Sequence, residues 1–344
     1  MADYISFQPS DHFNAKTYTG NGGSQTITGV GFQPDFSWFK SRDSANSHAL
    51  IDVIRGTDKV LYSDTNSINQ TISAQTFNAD GYALVADGGA NSINSNGSTK
   101  VAWSWKGGGT GATNNVGSVE STVSANTTAG ISILKYTNPG SGQPFTVGHG
   151  LGKTPKMIMI KNITGGTQNW GVYHSGIGFG KYVQLNTQIS EASANLVTAT
   201  SDTTYSTYYD HHTTGVDLIA YCFAEVQGFS SIGSYVGNNS TWGKFLHTGF
   251  QPALVMIKRV DSGSEDWNVW DKSRVGYNVA GNDKLFWNLS DVESTGATEI
   301  DLLSNGFKMR SAGGGINSNS GTYIYIAFAE FPFVASNNTP AVAR

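Results

Sequence analysis

The 344-residue sequence is short of several things at once, and each shortage excludes a class of protein. Cys222 is its only cysteine, so no disulfide can form within the chain. Its setting, Ala-Tyr-Cys-Phe-Ala, reads as a buried strand thiol rather than a nucleophile. Charged residues make up 13%, about half the usual share, and they sum to a net charge of −4 with no basic run. Capture of nucleic acid or of an anionic membrane through the phosphate charge is therefore not expected. No apolar stretch approaches the roughly 18 residues of a membrane-spanning helix. Met-Ala-Asp-Tyr at the start has neither a basic nor an apolar leader region, which predicts synthesis in a cytoplasm without a signal peptide. Lys, Glu and Gln, the residues that coat helices, are scarce.

What the chain has instead is 42 glycines, abundant Ser, Thr and Asn, and 12% aromatic residues. That mixture suits short strands joined by tight turns, because Gly and Asn accept positive φ and hydroxyls satisfy turn backbone. The expected fold class is all-β.

A segment recurs three times: Gly31-Phe-Gln-Pro34-Asp-Phe-Ser-Trp-Phe-Lys40, Gly152-Lys-Thr-Pro155-Lys-Met-Ile-Met-Ile-Lys161 and Gly249-Phe-Gln-Pro252-Ala-Leu-Val-Met-Ile-Lys258. In each, Pro is followed six residues later by Lys, with a mostly apolar run between. Pro34, Pro155 and Pro252 are expected to begin strands buried on both faces. A second marker follows: His48-Ala-Leu-Ile-Asp52, Trp170-Gly-Val-Tyr-His174 and Trp267-Asn-Val-Trp-Asp271. The first and third extend to Arg55 and Arg274, so Asp52/Arg55 and Asp271/Arg274 read as repeated ion pairs of the scaffold, with His174 in the corresponding place. A third marker starts at Lys59, Lys181 and Lys284. Asp80-Gly81-Tyr82 and Asn305-Gly306-Phe307 carry hairpin chemistry; the middle copy has Tyr205-Ser-Thr-Tyr208-Tyr209 instead. Each copy closes on aromatic and small residues. Pro34 to Trp105, Pro155 to Phe223 and Pro252 to Phe328 span 71, 68 and 76 residues.

These markers predict three tandem divergent β-sandwich repeats, jelly-roll-like, over 1–106, 131–228 and 229–334. Residues 107–130 read as a flexible connector or surface loop, and 335–344 as a polar tail. The second and third copies, which follow each other directly, should dock more rigidly than the first and second. The best helix candidate is Ile189 to Val197.

Chemistry-bearing motifs are few. Gly148-His-Gly-Leu-Gly152-Lys-Thr154 imitates a phosphate loop but has Val147 where a glycine is needed and a strand where a helix is needed. Asp210-His211-His212 has metal-ligand residue types, yet adjacent histidines on a strand face opposite ways. Glu225 and Glu330 end corresponding strands, a structural pattern rather than a glycosidase pair. No catalytic residue, metal or cofactor is expected. Trp170, Trp242, Trp267, Trp270, Trp287 and Tyr205 raise a choice between core or interface packing and glycan contact. The candidate contact loop is Tyr205, Tyr208, Tyr209, His211 and His212, where the middle copy departs from the others.

Through Tyr18-Thr-Gly-Asn-Gly22, Gly31 to Arg42 and Val101-Ala-Trp-Ser-Trp-Lys106, the chain resembles a family of repeat domains of undefined function in virion proteins of tailed phages, notably marine and cyanobacterial ones. The resemblance covers nearly the whole chain and implies a non-enzymatic, β-rich component of the phage particle; it offers no catalytic residues to carry over. A tail fibre or tail-tip host-attachment protein and a capsid decoration protein (head fibre or cement) are the two roles it opens, with a carbohydrate-binding module as a third reading. Expected partners are other virion proteins, further copies of the chain as a homotrimer, and a host surface glycan. The expected location is the virion.

Overall fold

The computed structural model describes residues 5–73, 75–86, 93–140, 144–208, 214–275 and 281–332. The three proline-marked runs are strands, Phe36–Ser41, Met157–Asn162 and Phe250–Arg259, and every residue in them but Arg259 is buried. Pro34 and Pro155 precede their strands. Pro252 lies inside the third, where the ladder register shifts, the one interior place a strand tolerates proline. The expectation of a proline at each strand start thus needs correcting for Pro252.

The first segment holds β1 (Phe13–Thr19), β2 (Gln25–Ile27), β3 (Phe36–Ser41), β4 (Ala49–Asp52), β5 (Lys59–Val60), β6 (Gln70–Thr71), β7 (Thr76–Asn78), β8 (Gly81–Leu84) and β9 (Thr99–Trp105). The second holds β10 (Ala112–Asn114), β11 (Ser121–Asn126), β12 (Ile131–Thr137), β13 (Phe145–Gly148), β14 (Met157–Asn162), β15 (Gly171–His174), β16 (Lys181–Gln184), β17 (Ala192–Ser193), β18 (Ala199–Thr200), β19 (Thr204–Thr207) and β20 (Asp217–Phe223). The third holds β21 (Ser230–Val236), β22 (Phe245–His247), β23 (Phe250–Arg259), β24 (Trp267–Asp271), β25 (Asn282–Phe286), β26 (Ser294–Ala297), β27 (Ile300–Leu303), β28 (Gly306–Met309) and β29 (Thr322–Pro332). Helical structure among the described residues is limited to single turns at 9–11, 272–275 and 314–317. Residues 107–130 contain β10 and β11, which extend the second large sheet, so this stretch is not the flexible connector expected of it. Ile189 to Val197 is not helical; its backbone is spent elsewhere, with the Glu191 N–H donating to Val260 O.

The fold is all-β, with several antiparallel sheets. The large sheets run β1-β9-β3-β4, β10-β11-β12-β20-β14-β15-β16-β17 and β21-β29-β23-β24-β25-β26. Each therefore contains one order: a first strand, the segment's last strand, the proline-marked strand, then the next. Each segment also has a three-stranded sheet, β2-β8-β7, β13-β19-β18 or β22-β28-β27. The central strand of each carries a fully buried aromatic, Tyr82, Tyr205 or Phe307. Gly81 and Gly306 begin β8 and β28, and a Cβ on either would fall about 2 Å from a carbonyl oxygen of the neighbouring strand, Ile27 or Leu246. Their glycines serve that close approach; the two-residue turns themselves are Ala79-Asp80 and Ser304-Asn305.

Side-chain alternation on the last strands divides the interior. Trp103 and Trp105, Tyr221 and Phe223, and Ile326 and Phe328 point into one cluster shared by all three segments. The residues between them, Ala102, Cys222 and Ala327, face three separate clusters lying against the small sheets. Large rings thus fill the shared core, and small residues sit where each large sheet meets its own small one.

Candidate functional site

The residues nominated from sequence are mostly interior. Tyr205 is fully buried in β19 opposite Val147, so its assignment to a ligand-contact loop is corrected: alternation turns it inward. Tyr208 is half-buried just beyond that strand and its N–H donates to Asn195 O at 3.1 Å. Tyr209, Asp210, His211 and His212 lie outside the described residues. Trp170, Trp267, Trp270 and Trp287 are at most 2% exposed and belong to the cores. The phosphate-loop look-alike leads into β14, and the Lys153 ammonium donates to Thr127 O. Cys222 is buried and burial pushes its thiol pKa up. Glu225 pairs with Lys156 and Glu330 with Lys272. Among the described residues no three His, Cys, Asp or Glu side chains are grouped to hold a metal ion.

The repeated Asp and Arg residues meet as expected, and their surroundings show their purpose. Asp52 Oδ1 accepts the N–H groups of Ile54 (3.0 Å) and Arg55 (2.8 Å), and Oδ2 accepts Arg55 Nε at 2.6 Å. Asp271 does the same for Ser273, Arg274 and Arg274 Nε, the last again at 2.6 Å. Both pairs are fully buried. A buried pair needs its remaining oxygens satisfied, and in each case a neighbouring segment supplies the donor. Tyr221 of the second segment gives its hydroxyl to Asp52 at 2.7 Å, while Trp103 of the first gives its indole N–H to Asp271 at 2.8 Å.

Tyr221 and Trp103 hold one position, opposite the fourth residue after the marker proline. In the third segment that position is Ile326, opposite Met256, which has nothing to donate. The second segment, which faces it, has no ion pair at this position: His174 and Ile177 replace Asp and Arg. His174 Nδ1 accepts the Gly176 N–H at 3.0 Å, and Nε2 donates to Tyr325 O at 3.1 Å. Desolvation lowers its pKa to about 4, so the ring is neutral.

A second set of bonds also links each segment to a neighbour. Lys40, Lys161 and Lys258, the lysines six residues beyond each proline, are at most 1% exposed. Lys40 donates to Ser290 O of the third segment (3.0 Å), Lys161 to Asn66 O of the first (3.2 Å) and Lys258 to Gln188 O of the second (3.4 Å). Burial lowers Lys161 to about 7 and the other two to about 8. The ring nitrogens at the start of the second marker act likewise: His48 Nε2 bonds Phe286 O, Trp170 Nε1 bonds Tyr62 O and Trp267 Nε1 bonds Gln184 O, at 2.8 to 2.9 Å. The first segment thus reaches the third, the third the second and the second the first. These contacts also correct one register: Leu285, not Phe286, matches Val183, so Asp283 rather than Lys284 corresponds to Lys59 and Lys181.

Sequence reading passed over two residues that shape the outer loops. Asn94 and Asn317, both fully buried, sit in a repeated Ile-Asn-Ser-Asn. Asn94 accepts the Asn21 N–H and donates to Gly23 O; Asn317 accepts the Asn238 N–H and donates to Ser240 O. The repeat of four residues was the signal that would have found them.

The chain belongs to a family described as a domain of unknown function, DUF7483, whose model matches residues 8–332, across all three segments. No curated protein matches it.

Proposed function

We propose that the chain is a non-enzymatic structural protein on the surface of a tailed-phage particle, of the tail-fibre or tail-tip host-attachment type, built from three divergent copies of one β-sandwich. The observation that carries this reading is the use made of buried polar groups. The Asp–Arg pairs, the neutral histidines and the three buried lysines all bond segment to segment or satisfy local backbone, which is architecture rather than chemistry. A ring closed within one chain leaves the outer loops free to differ, the arrangement an attachment protein needs. The resemblance carried by Gly31 to Arg42 and Val101 to Lys106 points to the same class.

Capsid decoration is the second reading, and the threefold course of the intersegment bonds favours it, since capsid lattices offer threefold positions. Other virion proteins are the proposed partners under both readings. A homotrimer would have to use outer surfaces, because the inner faces are already covered within one chain. Densitometry of purified particles tests the proposal. A few to a few tens of copies per particle are expected; hundreds would replace attachment by decoration, and absence from particles would overturn both.

A further inference from the structure

Trp242 stands apart from the other seven tryptophans, being 73% exposed where they are at most 2% exposed. It lies on the outer face of β22-β28-β27. Lys308 Nζ is 5.0 Å and Arg310 Cζ 5.3 Å from the centroid of its ring. Phe245, 41% exposed, is paired with Lys308 across the same face. Arg310 is neutralised by Asp301 at 2.5 Å, whereas Lys308 has no carboxylate partner among the described residues. Exposed rings together with an uncompensated cation run against the composition of a sparsely charged, net-negative chain.

The first two segments provide an internal control, because the same sheet exists there without these residues. Register places Phe245, Lys308 and Asp301 where the first segment has Thr26, Ala83 and Thr76 and the second has Thr146, Ser206 and Ala199. The fold is built with small, neutral residues on this face twice, so it does not require the rings.

The loop carrying Trp242 is held rather than loose. Asn317 Nδ2 donates to Asn238 Oδ1 (3.0 Å), Ser240 O (2.8 Å) and Ser311 O (3.1 Å). Gly243 packs so closely that a Cβ there would meet Met309 Cβ and the Asn317 amide within 2.7 Å. The first segment pins its corresponding loop through Asn94, but Thr26 follows Gly23 by three residues, whereas Phe245 follows Ser240 by five. The two added residues create the tip on which Trp242 sits. A ring displayed on a pinned loop loses little freedom on binding.

We infer that Trp242, Phe245, Lys308 and Arg310 form a binding site for a carboxylated saccharide. An indole face stacks on the C–H face of a sugar ring, and the Lys308 ammonium beside it, the cation that no carboxylate neutralises among the described residues, matches a sugar carboxylate that a neutral glycan lacks. Its biological meaning rests on the attachment reading above, but the binding itself does not.

The full chain is titrated with tetrameric galacturonate, mannuronate and α2,8-linked sialic acid, and with maltotetraose, by calorimetry and tryptophan fluorescence. Saturable binding of at least one acidic tetramer is expected, weakened by salt and absent for maltotetraose. Trp242→Ala and Lys308→Gln should each weaken it about tenfold or more, with an unchanged melting temperature. Phe245→Thr, the first segment's residue, should weaken it less. No binding of any acidic tetramer, equal binding of maltotetraose, or undiminished binding by Trp242→Ala would overturn the inference. Particle densitometry reports on the attachment reading separately, so either can fail alone.

Discussion

Two of the three corresponding positions around the core carry a buried ion pair, and the third carries His174 and Ile177. The difference follows the residue each one faces. Tyr221 and Trp103 bring an O–H or N–H that must be satisfied in a dry core, and a carboxylate accepts it. A carboxylate there needs a cation, and Arg55 and Arg274 each supply one three residues on. Ile326 brings nothing, so the carboxylate and arginine are dispensable, and a neutral histidine bonds backbone instead. A buried ion pair and an apolar replacement are interchangeable when all members change together. The chain contains both solutions.

The largest expected effect comes from breaking one member alone. Asp52→Ala leaves Arg55 buried without a carboxylate and Tyr221 without an acceptor, and should cost about 3–5 kcal/mol in urea unfolding. Asp271→Ala should cost less, because Arg274 keeps Glu293 at 2.7 Å. Equal losses would contradict the roles given to these partners.

The buried lysines should produce a smaller, pH-dependent effect. Their folded pKa values of about 7 to 8 lie below the ordinary 10.5, so between about pH 7 and pH 10 the unfolded chain binds more protons. Stability should rise with pH across that window. Below it the lysines are charged in both states and the full cost of burying them persists. Lys161→Met should reduce the slope; a profile flat or falling from pH 7 to 9.5 in the parent chain would refute the assignment.

The smallest effect is expected from the concerted exchange. Asp52→His, Arg55→Ile and Tyr221→Ile together convert the first position to the second's solution and should stay within about 1–2 kcal/mol of the parent. If the triple variant loses as much as Asp52→Ala, the two solutions are not interchangeable.

Much of this was legible in the residues. Pro34, Pro155 and Pro252 marked the innermost strands, and Asp52-x-x-Arg55 announced its own ion pair because both partners lie within one turn. Tyr205 was misplaced because a run of tyrosines looks the same whether alternation turns a given ring in or out. Lys40, Lys161 and Lys258 were visible as a spacing but not as intersegment donors, since their acceptors are backbone carbonyls, which leave no trace in residue identity. Trp242 was visible only as one of five tryptophans for which packing and glycan contact both stood open, because exposure leaves no trace in residue identity.

The sequence by itself determined the all-β class and the three proline-marked strands, because glycine-rich turns and an apolar run behind a proline are local properties. Tertiary structure alone decided that the three large sheets share one core, which ring faces it, and why the second segment abandons the ion pair. Those depend on which residue of another segment arrives opposite, and contacts between residues 70 to 250 positions apart are set by packing, not by neighbours along the chain.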